Sequence, residues 1–156
     1  MRLAAREDIE LPASVVFAAA SDFDHFARLA LRRGFQVERR DRLPEPAVGM
    51  RWSVSGPYGG KLRHVTAELR AYVPGESLLV RMTGGGFEVD IDVDVIALSW
   101  RRTRLRTDLD LRPRTIRARI LMQALKLRRA KAAGRFHASL RAFARRIELR
   151  HMIDRA

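Results

Sequence analysis

Hydrophobic and polar residues alternate with a period of two along most of the first 113 positions. The first alternating segment runs from Leu3 to Leu11 and ends at Pro12, which predicts a β-strand. About six further alternating segments follow Gly34, with Gly- and Pro-rich turns between them. The clearest is 87–95, where Phe, Val and Ile alternate with Glu and Asp. Such alternation predicts an antiparallel sheet with one buried face and one face in water.

Two other parts of the chain have the spacing of helices. Two short apolar stretches between Pro12 and Gly34 predict two helices, the second beginning at Ser21 or Asp22 and ending at Gly34. From about Thr115 to Arg150 the period is again helical, and only Gly134 interrupts it. The apolar positions of this long segment form one stripe: Ala118, Met122, Leu125, Ala132, Phe136, Leu140, Phe143 and Ile147.

The order of these elements, together with several local sequences, resembles the START-like (SRPBCC) superfamily. That superfamily includes polyketide cyclases, plant pathogenesis-related allergens, START lipid-transfer domains and coenzyme Q-binding proteins. The local sequences are Leu11–Pro12–Ala13 before Val16–Phe17, Ser21–Asp22, Gly34, and Gly49–Met50–Arg51–Trp52.

The resemblance implies an α+β helix-grip fold. In it, a curved antiparallel sheet of about seven strands has two short helices after its first strand, and a long C-terminal helix packs across its concave face. We expect one domain over 1–150 and a short tail over 151–156.

The resemblance also implies an apolar cavity between the sheet and the C-terminal helix. The alternative is that the same residues fill a solid core. The sheet and the short helices would contribute Phe26, Trp52, Val54, Phe87, Val89, Leu105 and Thr107, and the long helix Phe136, Leu140 and Phe143.

Arg129 stands out because it falls at the centre of the apolar stripe, between Leu125 and Phe136. One interpretation is that it points into the cavity and holds a ligand carboxylate or phosphate. The alternative is that it pairs with an acidic residue of the protein, or extends to the surface where the helix leaves the sheet.

Charge is distributed unevenly over the 156 residues, whose net charge is +13. Residues 1–100 carry 13 basic and 14 acidic side chains, and residues 101–156 carry 18 and 4. A basic helix face predicts contact with an anionic membrane, a nucleic acid or an acidic protein, unless it is only a solvated surface. Nucleic acid is the least favoured partner, because no recognised motif or interleaved exposed aromatic residue accompanies the charge. The face comprises Lys126, Arg128, Lys131, Arg135, Arg141, Arg145 and Arg146.

The sequence gives little support for catalysis. Cysteine is absent, and the four histidines lack metal-binding spacing. An acidic ladder on one strand is explained by cross-strand ion pairs with Arg104 and Arg106. We therefore predict no catalytic residue, no metal and no cofactor. The ladder consists of Glu88, Asp90, Asp92 and Asp94.

These patterns favour a protein that binds or transports a small hydrophobic ligand, such as a lipid, a quinone or a polyketide-like metabolite. The alternatives are a cyclase or dehydratase of the same fold, in which Arg129 would stabilise an enolate, and a basic module that binds an anionic membrane or polyanion. No signal peptide or membrane-spanning segment is predicted, so we expect a cytoplasmic location, with peripheral membrane contact as an option. A homodimer is compatible with the sequence, but nothing in it selects one.

Overall fold

Seven strands and four helices make up the computed structural model, which describes residues 1–44 and 46–155. The strands are β1 (Arg2–Ile9), β2 (Gln36–Arg39), β3 (Arg51–Tyr58), β4 (Lys61–Val73), β5 (Ser77–Gly84), β6 (Phe87–Ser99) and β7 (Arg102–Pro113). The helices are α1 (Ala13–Ala20), α2 (Phe23–Arg32), α3 (Ile116–Leu127) and α4 (Arg129–Arg155).

All seven strands belong to one antiparallel sheet with the order β1-β7-β6-β5-β4-β3-β2. Every connection from β2 to β7 joins neighbouring strands, and β1 returns to pair with β7. The first strand of the chain therefore becomes an edge of the sheet, next to the last strand. The predicted α+β fold class is confirmed, including the two short helices after the first strand.

The alternating pattern separates the two faces of the sheet. The inner face, which carries Trp52, Leu69, Val95 and Leu105, is covered by helices, and these four side chains are buried. They form one core with residues of α1 and with Ala144 and Ile147 of α4. The outer face carries most of the charged residues of the same strands. Period-two patterning was sufficient to predict this division, because neighbouring side chains of a strand point to opposite faces.

The long C-terminal helical segment is divided, which corrects the prediction of a single helix interrupted at Gly134. The helix ends at Leu127, Arg128 has non-helical backbone angles (φ −106°, ψ 18°), and α4 begins at Arg129. Gly134 lies inside α4, where no other atom would approach an added Cβ within 4 Å. Helix α4 also continues to Arg155, past residue 150, where we placed the end of the domain. That domain boundary stays a prediction.

Gly86 joins the β5–β6 turn to the start of α3. Its φ of +82° is one that side-chain-bearing residues rarely adopt, and a Cβ there would lie 2.6 Å from Thr115 Oγ1. Thr115 caps α3, because its Oγ1 accepts a hydrogen bond from the Ala118 amide at 3.1 Å. The Arg114 amide donates to the Gly86 carbonyl at 2.7 Å. The start of α3 is thereby held against the end of the sheet.

Candidate functional site

Apolar side chains on the inner face are buried to different extents along the strands. Val95 and Leu105, which lie opposite each other, are buried. Further along the same two strands, Val89 pairs with Leu111, and both are only half-buried. The inner face is therefore closed where α1 packs and more accessible toward the β5–β6 turn and α3.

We call this partly exposed apolar area the inner groove. It consists of half-buried residues of the neighbouring strands β5, β6 and β7. We include Phe136, which is also half-buried and lies on the same side of α4 as the buried Ile147. Four of its residues were not among the predicted ligand-binding positions, although they continue the alternation of strands that were recognised. The sheet residues of the groove are Met82, Phe87, Val89, Ile91, Leu109 and Leu111, of which Met82, Ile91, Leu109 and Leu111 are the additions.

The other predicted ligand-binding residues lie around this groove or in the core. Trp52, Leu105 and Thr107 are buried. Val54, Leu140 and Phe143 are partly buried against the core. Phe26 of α2 is more exposed, and its ring centroid lies 6.1 Å from that of Phe143. The structure thus places the predicted apolar residues on one side of the sheet, but their role in binding stays a prediction.

Arg129 does not lie in the groove, which corrects the interpretation that it points into a cavity. It is the first residue of α4 and is exposed, and its Nη2 donates a hydrogen bond to the Arg2 carbonyl at 3.1 Å. The first turn of α4 lies beside the edge strand β1. The guanidinium therefore extends to the surface, as the alternative interpretation described.

Glu7 is a charged residue on the inner face that the sequence analysis did not single out. It pairs in register with Leu105 and shares its face with the buried Ile9. Its side chain is 13% exposed, and Oε1 lies 3.0 Å from Arg141 Nε and 3.8 Å from Arg145 Nη2. The alternation of β1 contained the signal, because Glu7 is in phase with Leu3, Ala5 and Ile9.

The basic face predicted on the C-terminal helices is only partly available to a partner. Arg141 and Arg145 pair with Glu7, and Arg145 also pairs with Glu148 at 2.6 Å. The other five basic residues are exposed and form no ion pair with any residue in 1–44 or 46–155. These five are Lys126, Arg128, Lys131, Arg135 and Arg146.

Ion pairs cover the outer face of β5, β6 and β7, but with partners that differ from the prediction. Asp90 accepts from Arg81 Nε at 2.8 Å and from Arg112 Nη2 at 2.9 Å. Glu88 pairs with Arg114 and Arg81. Arg104 and Arg106, the expected partners, instead contact Asp8 and Asp108. Cross-strand ion pairs do form, as predicted, but with other arginines. The sequence did not show that β5 lies beside β6 or that β1 lies beside β7.

The pKa values of the carboxyl groups in the ladder are shifted in opposite directions. The hydrogen bond from Arg114 lowers the pKa of Glu88, and the hydrogen bond from Arg81 lowers the pKa of Asp90. Asp92 differs, since partial desolvation, followed by repulsion from Asp94, Asp108 and Asp90, raises its pKa. Folding therefore disfavours the charged form of Asp92.

Two open clefts, each of about 400 Å³, are lined mostly by charged and polar side chains. Of the predicted ligand-binding residues, only Trp52 lines either one. The first cleft is lined by Arg6, Glu7, Asp8, Glu10, Arg102, Arg104 and Arg145, and the second by Arg40, Arg51, Trp52, Thr66, Ala67, Glu68, Arg81 and Thr83.

Within 1–44 and 46–155, no group of three or more His, Asp or Glu side chains is placed to hold a metal ion. In the same residues, no helix has both the length and the hydropathy needed to cross a bilayer.

No family model and no curated protein matches the sequence. Solved structures do match the fold. An aromatase/cyclase from a Streptomyces species is 17% identical, with a TM-score of 0.67 over 96% of this chain and 94% of its own. Norcoclaurine synthase from Thalictrum flavum is 13% identical, with a TM-score of 0.68 over 97% and 96%.

A START superfamily protein from Mycobacterium smegmatis is 12% identical, with a TM-score of 0.57 over 86% of this chain and 95% of its own. Identities this low establish the fold and not the activity. The seven-stranded antiparallel sheet, the two short helices after β1 and the long C-terminal helix therefore give this chain the helix-grip fold of the START-like proteins.

Proposed function

We propose that the protein binds a small, largely apolar ligand in the inner groove. The observation that carries this proposal is the partial exposure of Phe87, Val89 and Leu111 on a face whose other end is fully buried. In a solid core these side chains would be covered, since protein interiors pack almost without voids. An apolar surface with few polar groups suits a ligand held by apolar contact.

The similar structures support the class of ligand. One structure of norcoclaurine synthase is a complex with dopamine and hydroxybenzaldehyde, and another similar protein is an aromatase/cyclase. Small, mostly aromatic molecules therefore suit this fold, and a lipid, quinone or polyketide-like molecule is the ligand class that we propose here. The exposed basic residues that lack ion pairs support a second part of the proposal, contact with an anionic surface.

Binding is favoured over the cyclase or dehydratase alternative. A general acid or base must reach the reacting atoms of the ligand. Glu7 is an inward-facing carboxylate, but it lies opposite Leu105 at the closed end and is occupied by Arg141 and Arg145. Its geometry suits attachment of α4 to the sheet.

The proposal is tested by native mass spectrometry of the gently purified protein and by titration with Nile red, a neutral apolar dye. A copurified apolar molecule, or saturable dye binding at one site, is the expected result. The variant Val89→Trp should reduce dye affinity at least about tenfold by filling the groove. The matched control is Ile96→Trp, since Ile96 lies on the same strand, is exposed and points to the outer face.

Equal affinity in wild type and Val89→Trp would contradict the proposed site. If Val89→Trp does not fold, Val89→Ala provides the second test. The smaller side chain should change dye affinity or the emission maximum of the bound dye, whereas Ile96→Ala should change neither.

A further inference from the structure

Helix α3 exposes apolar side chains on the side that faces away from the protein. Ile116, Ile120 and Leu127 are 78%, 68% and 89% exposed. At 100° per residue these three lie within about 40° of one another and form one stripe. Ala118 and Met122, on the opposite side of the helix, are buried. Both sides of α3 are thus apolar, although only one packs against the protein.

Basic residues flank this apolar stripe. Arg119 and Lys126 lie along one side of it and Arg117 along the other, and all three are exposed. No acidic residue occurs between Asp110 and Glu148. Arginines in the first turn of a helix also oppose its macrodipole, so their placement weakens the helix rather than stabilising it. The surface therefore suits an occupant that is both apolar and anionic.

A hairpin at the same end of the molecule has a similar composition. The β3–β4 turn carries exposed Tyr58 and Leu62 together with Lys61. It lies on the same side as α3, because β3–β4, β5–β6 and the end of β7 share one end of the antiparallel sheet. The groove is most accessible at this end too. Two apolar, basic elements therefore flank the open end of the groove.

We propose that α3 docks into the interface of an anionic membrane, with the stripe of Ile116, Ile120 and Leu127 in the acyl region and the flanking arginines and lysine at the headgroups. A helix with Lys or Arg beside exposed Ile and Leu has the composition of an interfacial helix. Docking in this orientation directs the open end of the groove toward the bilayer, where an apolar ligand is stored. The docking surface specifies the contact with an anionic surface that forms the second part of the proposed function, and the transfer of ligand rests on the proposed groove.

The first test is cosedimentation with vesicles of phosphatidylcholine and phosphatidylserine at a 7:3 ratio. Wild-type protein should bind, and the double variant Ile120→Asp/Leu127→Asp should lose at least about tenfold in partitioning. The control, Leu98→Asp/Trp100→Asp, makes the same charge change at exposed apolar residues of the β6–β7 hairpin, at the opposite end of the sheet. It should retain binding within about twofold. An equal loss in both variants, or no wild-type binding, would overturn the proposal.

The second test separates the charges of α3 from the overall positive charge. Arg117→Gln/Arg119→Gln/Lys126→Gln should weaken binding at least about tenfold and reduce its dependence on salt. The control triple variant, Arg28→Gln/Arg32→Gln in α2 with Arg33→Gln directly after it, lowers the net charge by the same amount and should weaken binding less. Equal weakening would show that long-range attraction, and not α3, brings the protein to vesicles, and would contradict the docking surface.

Nile red titration and light scattering of the same variants separate membrane docking from ligand binding and from self-association. If the α3 variants lose vesicle binding but still bind the dye, the result supports docking as a property separate from ligand binding. If the wild-type protein binds the dye but not vesicles, docking is overturned and the proposed groove is unaffected. If it binds vesicles but not the dye, only the groove is overturned. Light scattering tests for self-association. If the wild type is a dimer that does not bind vesicles, and Ile120→Asp/Leu127→Asp converts it to a monomer, the stripe belongs to a dimer interface instead.

Discussion

Glu7 on β1 accepts a hydrogen bond from Arg141 Nε on α4 at 3.0 Å, across 134 positions of the chain. Arg145, one helical turn further, lies 3.8 Å from the same carboxylate oxygen. The contact joins the edge strand to the long helix at the closed end of the inner groove. It also occupies two arginines that would otherwise add to the basic face.

Glu7→Gln should lower the free energy of unfolding by about 1 kcal/mol, because it removes a charge-assisted contact whose arginines remain partly in water. Urea denaturation measures this change. The control is Glu38→Gln, since Glu38 pairs with Arg40 at the surface and should contribute less than about 0.5 kcal/mol. A Glu7→Gln protein as stable as the control would show that the pair does not help to hold α4.

Acid should destabilise the protein through Glu88 and Asp90. Their folded pKa values are lowered by hydrogen bonds from Arg114 and Arg81, so folding favours the charged forms. This stabilisation is fully present above the ordinary values of 4.5 and 3.8 and is lost as the pH falls below them. Unfolding measured from pH 7 to pH 2 should show it. The double variant Glu88→Gln/Asp90→Asn should be less stable at pH 7, with a shallower acid dependence.

Asp92→Asn should have the opposite effect at neutral pH. Partial desolvation and three neighbouring aspartates raise the folded pKa of Asp92, so its ionisation opposes folding above that value. The variant should raise the melting temperature at pH 7, and the gain should shrink as acid protonates the wild-type residue. Asp154→Asn, an exposed change near the C-terminus, is the control for net charge. A lower melting temperature for Asp92→Asn would contradict this prediction.

Gly86→Ala should cost about 1–3 kcal/mol, because it combines an unfavourable φ of +82° with overlap against Thr115. Gly85→Ala is the matched control, since Gly85 also has a positive φ but faces open space. Thermal unfolding of both variants isolates the contact with α3. Equal losses would mean that α3 does not constrain this turn.

Gly134→Ala should stabilise the protein by about 0.5–1 kcal/mol, because alanine is the better residue inside a helix and its Cβ would meet nothing. Chemical denaturation provides the measurement. A loss of stability would contradict the placement of Gly134 inside a regular helix with open space beside it.

The sheet was predictable because alternation is a local property of the chain. The segment Phe87–Val95 showed both faces of β6 directly, and Gly and Pro marked the turns. The partners of its carboxylates were not predictable, because Arg81 reaches Asp90 only after β5 pairs with β6. The end of α3 was missed for a related reason. Arg128 is not a residue that ends helices by its own propensity, and the apolar stripe continues on both sides of it.

The sequence by itself determined the order of the elements, the face of each strand that is buried and the concentration of basic charge after residue 100. These follow from side-chain periodicity and composition, which act within a few residues. Only the tertiary structure decided that Arg129 extends to the surface, that Glu7 holds Arg141 and Arg145, and that α3 leaves Ile116, Ile120 and Leu127 uncovered. Each depends on how far one element reaches across another, and contacts between distant parts of the chain set that distance.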